Sequence, residues 1–305
     1  MNRFVFVLGL LFLALLNCKH NHNPTLEQPK IEDSLEVWEQ LLDKDLSKWQ
    51  PYLGVPHKDS NVPGYEDIED LREGKPLGFS NLKNVFSVIE VNDELFLKVT
   101  GEIFGSLISK ADYENYHLKF EVKWGDKLWK PMQDRLRNNG VLYHSIGEPG
   151  GGFFNTWMTS LEFEVENTNY GDFIAINSEG RIKVKSAVTK KDERFFYDFD
   201  APLQDVGRKF GYNRIHKLKD LEKPMGDWTS MELVCFRDLA LHIVEGEVVV
   251  ALYEPKYLDG EMWVPMTKGK LQIQSEGAET YFRNVKIRSL DTLEERFTKY
   301  LKKLE

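Results

Sequence analysis

Apolar and polar residues alternate with a period of two in run after run of this chain, and that pattern commits it to half-buried strands. From His117 to Trp124, Leu118, Phe120, Val122 and Trp124 point one way while Lys119, Glu121 and Lys123 point the other. Leu161, Phe163 and Val165 interleave with Glu162, Glu164 and Glu166, and Leu271 and Ile273 with Gln272, Gln274 and Glu276. Val85 to Val91 and Glu94 to Val99 predict two strands joined at Asn92-Asp93. Leu239 to Leu252 reads as a hairpin turning near Glu245-Gly246, and Tyr281 to Ile287 closes the series. Strands this numerous with few helices between them predict an all-β sandwich or jelly roll over 35–289. Helical spacing is confined to the two ends. Leu35, Trp38, Leu41 and Leu42 predict a short N-terminal helix. In 290–305, capping-box spacing from Asp291 to Glu294 precedes Leu293, Phe297, Tyr300, Leu301 and Leu304 on one face, with Glu295 and Lys299 as an i,i+4 pair.

The charge balance narrows the partners. Lys and Arg total 40 against 49 Asp and Glu, a net charge of -9 over 305 residues. That leaves no basic footprint for a phosphate backbone and excludes nucleic acid as the expected partner. The one long apolar run is the leader, Phe4 to Leu16 after Arg3, too short to span a bilayer comfortably and of the right length for a signal segment. It ends at Leu15-Leu16-Asn17-Cys18, which resembles a bacterial lipobox. The expectation is therefore a signal peptide over 1–17, lipidation at Cys18, a polar tether over 18–34, and an exported protein anchored to a bacterial membrane on its periplasmic or outer-membrane face. Lipidation leaves Cys235 as the other cysteine, in a strand-like run where it reads as a buried small hydrophobe.

Three strand faces carry candidate chemistry. Glu162, Glu164 and Glu166 project from one face, with i and i+2 neighbours about 6.6 Å apart at Cα. That spacing suits either glycosidase carboxylate geometry or a hard cation, and crowding raises the proton affinity of one member. Asn139-Gly140-Val141-Leu142-Tyr143-His144 places Gly140, Leu142 and His144 on one side, with His144 a candidate base or metal ligand. Gln272, Gln274 and Glu276 form a face of amides and carboxylate suited to sugar hydroxyls, and Trp129 and Trp157 are candidate stacking platforms. Gly150-Gly151-Gly152 lacks the strand-to-helix frame of a phosphate loop and reads as a mobile loop.

Taken in order, these segments resemble the 3-keto-disaccharide hydrolase domain family across about 36–289. The resemblance rests on Trp38 to Trp49 (WEQLLDKDLSKW), Asn115 to Gly125 (NYHLKFEVKWG) and Asn139 to His144 (NGVLYH). It continues through Trp157 to Glu166 (WMTSLEFEVE), Gly171-Asp172-Phe173, and Gly269 to Ala278 (GKLQIQSEGA) followed by Phe282 to Val285. It implies a concanavalin A/glucanase-like jelly roll with a concave sugar face. It also implies that a sugar oxidised at C3 loses its C2 proton to a base and then expels the C1 aglycone, after which water adds. A divalent cation is a natural stabiliser for the enolate. Glu162 and His144 fall on the family's glutamate and histidine, with Glu164 alongside, and Asn139, Trp157, Gln274 and Glu276 are the expected substrate contacts. Glu164 and Glu166 stand where the family has Gln, and Asn139 where it has Ser. Two other readings stay open: a retaining β-glucanase, whose Glu-x-Asp-x-(x)-Glu strand this one approximates, and a non-catalytic carbohydrate-binding surface lipoprotein.

Overall fold

The computed structural model describes residues 37–303 apart from 152, 177, 178, 218 and 302. The leader 1–17, Cys18, the tether, Leu35 and Leu304 lie outside the described residues.

The alternating runs form two antiparallel layers of a jelly-roll β-sandwich. One sheet runs, neighbour to neighbour, through Phe86–Val91, Glu94–Val99, Ala278–Ser289, Tyr116–Leu128, Thr229–Phe236, Leu239–Val244 and Glu247–Asp259. The other runs through Trp49–Leu53, Gly105–Ser109, Lys268–Ser275, Gly140–Ile146, Thr159–Glu164, Phe173–Ile176 and Arg214–His216. The long strand Ile182–Lys191 belongs to both. Its first half pairs with Glu247–Asp259, and its second half pairs with Arg194–Tyr197, which lies parallel to Arg214–His216. Two-residue turns with both residues at positive φ close the hairpins at Asn92-Asp93 (φ 52 and 63) and Glu245-Gly246 (φ 49 and 79). That geometry matches the twist of the flanking strands.

Leu118, Phe120, Val122 and Trp124 are buried between the layers as their alternation requires. Phe120 meets Phe163 of the opposite sheet at 6.0 Å and Phe282 of its own at 5.9 Å. Each such side chain stabilises the fold by about 1.5–3 kcal/mol through burial. A polar tie also crosses the core: the Tyr143 hydroxyl lies 2.9 Å from His242 Nε2, and His242 Nδ1 lies 3.0 Å from the Gly171 carbonyl. Cys235 is buried beside Tyr116, and burial pushes its thiol up to about 12, so it packs as a small hydrophobe.

The ends depart from their sequence patterns. Residues 37–42 contain no helix: Glu39–Gln40 adds to the sheet edge opposite Lys286 and Ile287, and the Leu41 amide donates to the Val285 carbonyl at 2.8 Å. Four apolar positions are too few to nucleate a helix against an available strand edge. Trp38 instead lies beneath the side chains of Lys119, Lys286 and Arg288. At the other end the helical segment begins after Glu294, with one 3-10 turn at Glu295–Phe297 and one α turn at Thr298–Leu301. The expected capping role of Glu294 is lost because its carboxylate is spent on His117 Nδ1 (2.9 Å) and Arg296 Nε (2.8 Å). Phe297 and Tyr300 are buried as predicted.

Candidate active-site cleft

On the outer face of the second sheet, the side of Thr159–Glu164 that turns away from the core opens onto a cleft of about 690 Å³. Glu162, Glu164, Gln274, Glu276, Asn138 and Trp157 all line it. Register explains the convergence. Glu162 sits opposite Leu142 on one side and Ile174 on the other, while Leu142 sits opposite Gln272, so the glutamate and glutamine strands flank Gly140–Ile146. Gly140 is the gap in the floor. A Cβ there would stand 2.4 Å from Glu162 Oε1 and 2.6 Å from Gln274 Oε1, so these two side chains meet over the space a glycine leaves. A second hollow of about 1120 Å³ adjoins the first and shares Arg72, Asn138 and Glu276 with it.

Burial dominates the electrostatics. Glu162 and Glu164 are both buried, and desolvation raises each well above the usual carboxylate range. The neighbouring charge of Glu276 adds to the rise at Glu162, and that of Glu162 to the rise at Glu164; Arg214 opposes both. Glu276 is raised to about 8 by burial and then by Glu166, against a hydrogen bond from Asn138. Among the described residues Glu164 Oε1 has no hydrogen-bond partner. Burial and mutual repulsion together favour the protonated forms of these carboxylates.

Two expected site residues lie elsewhere. His144 does not share the face of Gly140 and Leu142. Pairing slips between Tyr143 and Ile146 and between Lys270 and Gln272, and His144 takes a left-handed backbone conformation, φ 47. This bulge drops the imidazole into the inter-sheet core, 5.9 Å from the Tyr116 ring and 5.2 Å from that of Tyr143, where burial lowers its pKa to about 4. Gly269 admits the bulge, since a Cβ there would lie 2.7 Å from the His144 carbonyl carbon. Asn139 also faces inward. Its amide donates to Thr280 Oγ1 at 3.1 Å, and its Oδ1 accepts from the Gly140 amide at 2.7 Å. The residue before it, Asn138, faces the cleft instead. Trp157 lines the cleft but is 4% exposed, with its indole N–H donating to the Gly105 carbonyl at 3.1 Å. It is too buried to offer an open stacking plate. Among the described residues no three His, Cys, Asp or Glu side chains come together to hold a metal ion.

Sequence reasoning missed Asn155, Asn213, Arg72 and Arg208 on the cleft wall. They sit in turns and single 3-10 turns, too short for a periodicity to flag them. It quoted Asp172 only as part of a motif and missed Arg214. Arg214 Nε donates to Asp172 Oδ2 and its Nη2 to Glu166 Oε2, both at 2.9 Å.

The fold and site together define a β-sandwich with a buried acidic cleft on the outer face of one sheet. Within that class, the chain belongs to the family described as the 3-keto-alpha-glucoside-1,2-lyase-like domain, which matches residues 37–288. No curated protein matches the chain in sequence. Among solved structures, the chain is similar at 17% identity to a candidate glycosyl hydrolase of Parabacteroides distasonis, with a TM-score of 0.44 over 83% of this chain and 100% of that one. It is similar at 12% identity to LamAcat of Zobellia galactanivorans, with a TM-score of 0.40 over 84% and 98%. It is also similar at 8% identity to the carbohydrate-binding module CBM66 of Bacillus subtilis, with a TM-score of 0.37 over 67% and 92%.

Proposed function

We propose that the chain cleaves 3-keto-glycosides by elimination in this cleft. The observation that carries the reading is the cluster itself: the buried Glu162 and Glu164 and the half-buried Glu276 share one cleft, with Glu276 raised to about 8. The family description supports the substrate class. A ketone at C3 acidifies the proton on C2. An ionised member of the Glu162–Glu164 pair takes that proton, the electron pair forms the C1–C2 double bond, and the C1–O bond breaks with its electrons on the leaving oxygen. Glu276, protonated at neutral pH, supplies the proton that the leaving group needs. Gln274 and Asn138 are placed to hydrogen-bond sugar oxygens. The conjugated enone is the first product, and water addition at C1 completes net hydrolysis. No step is assigned to a metal ion. His144, in the core, has no part in the chemistry.

The glucanase reading fits less well, because its third acid would be Glu166. That carboxylate is already taken by Arg214 Nη2 at 2.9 Å and Asn169 Nδ2 at 2.7 Å. The test uses 3-keto-trehalose and trehalose side by side, with sugar release and enone absorbance as readouts. Cleavage of the keto-sugar alone, with Glu162→Gln inactive, is expected. Cleavage of plain trehalose, or of neither sugar by folded protein, sinks the proposal.

A further inference from the structure

Arg214 touches no wall of the cleft, yet the sheet sets it on the same face as the cleft glutamates. Glu162 pairs opposite Ile174 and Ile174 opposite Arg214, so the three lie along one rung. On the next rung, the Glu164 amide donates to the Asp172 carbonyl at 3.1 Å, and the Gly171 amide donates back to the Glu164 carbonyl at 3.0 Å. The guanidinium spans these positions. One arm reaches Asp172 across the strand pair, and the other reaches Glu166, two residues beyond Glu164, each at 2.9 Å. Glu164 is thereby set between two carboxylates clamped by one planar fork.

The clamp is itself held. Asp172 is fully buried, and its carboxylate is approached by His216 Nδ1 at 2.7 Å, the Lys217 amide at 3.0 Å and Lys217 Nζ at 3.8 Å. His216 Nε2 lies 3.1 Å from the Tyr212 hydroxyl, and Lys217 Nζ donates to the Thr168 carbonyl at 2.6 Å. The titratable groups facing this corner are thus Glu162, Glu164, Glu166, Asp172, His216, Lys217 and, from just past the end of Lys268–Ser275, Glu276. Arg214 is the cation whose charge is felt by both Glu162 and Glu164.

Resting on the elimination reading, we propose that Arg214 is the positioning residue of the cleft: through Asp172 and Glu166 it fixes Glu164 and keeps one negative charge on the Glu162–Glu164 pair, so that a base is present before substrate arrives. It makes no contact with the sugar. A cation outside the cleft wall can do this because the corner is buried and poorly screened.

The experiment follows the side-chain carboxyl signals of the full chain by NMR with ¹³C-labelled glutamate, assigned through Glu162→Gln and Glu164→Gln, alongside the pH profile of kcat/KM on 3-keto-trehalose. In Arg214→Met the Glu162–Glu164 titration moves up by about one pH unit or more, and the rising limb of the rate profile moves with it. In Arg214→Lys the charge remains but the fork is lost, so kcat falls about tenfold while the titration stays near wild type. Folded Arg214→Met with an unmoved titration, or Arg214→Lys with wild-type kcat, overturns the proposal. Should Arg214→Met not fold, the lysine variant decides. If no variant or wild type turns over a keto-sugar, the elimination reading fails, and the carboxyl titration still decides the role of Arg214.

Discussion

Replacing Gly140 by alanine tests the site with one methyl group. The added Cβ would stand 2.4 Å from Glu162 Oε1, 2.6 Å from Gln274 Oε1 and 3.2 Å from Glu162 Cδ. Ordinary contact begins at about 3.5 Å, so the carboxylate must retreat by about 1 Å. Both obstructing atoms are ends of side chains, and Gly140 is not among the residues at positive φ, so the backbone accepts alanine. Overpacking costs about 1–3 kcal/mol, and the lower chain entropy of alanine offsets about 0.5–1 of that. The net loss of stability is then about 2.5 kcal/mol or less. Catalysis is more exposed, because a displacement of about 1 Å at a reacting group lowers rate by about 100-fold. The assay pairs kcat/KM on 3-keto-trehalose with a urea unfolding curve. The expected outcome is a folded protein with kcat/KM down by about two orders of magnitude. Wild-type kcat/KM in Gly140→Ala would refute the placement of Glu162 over this gap, and so would a loss of stability well beyond 3 kcal/mol, which only a backbone clash explains.

Acid should unfold the protein through its core. His144 and His242 are both lowered from 6.5 to about 4 by burial, so the unfolded chain binds their protons first and stability is lost as pH falls from about 6.5 to 4. Each contributes about 3 kcal/mol to that loss, and an unfolding midpoint in urea that stays constant from pH 7 to 4.5 would count against it. The cleft behaves oppositely. Glu276 is raised to about 8, so its contribution to stability is present below pH 4.5 and lost as pH rises through 8. Glu276→Gln should therefore be more stable than wild type by up to about 4 kcal/mol at pH 8.5 and nearly equal at pH 4.5, while losing activity; equal urea midpoints at both pH values would contradict the raised value. Labelled palmitate should enter the wild-type chain expressed in a bacterium but not Cys18→Ser, and equal labelling of both would remove the anchor.

Much of the site was legible because strand alternation is local. Glu162 and Glu164 on one face, and Gln274 and Glu276 on another, follow from period two alone, and all four line the cleft. The glutamates are nevertheless not on a solvated face: both are buried, since the neighbouring strands and irregular segments cover them. Where alternation breaks, the reading breaks too. The bulge after Tyr143 sends His144 into the core, and the chain entering Gly140–Ile146 turns Asn138, not Asn139, to the cleft.

The sequence by itself determined the strands whose residues alternate, among them Tyr116–Leu128, Thr159–Glu164 and Lys268–Ser275, which of their faces are apolar, and where the hairpins at Asn92-Asp93 and Glu245-Gly246 turn. These depend on residues one or two positions apart and on the φ preferences of Asn, Asp and Gly. Only the tertiary structure decided which polar face meets which. Glu162 and Arg214 stand 52 positions apart in the chain, yet share a rung because Ile174 pairs with both. Register between distant strands is a property of the assembled sheet. So are the burial that raises Glu276 to about 8 and the gap at Gly140 where Glu162 meets Gln274.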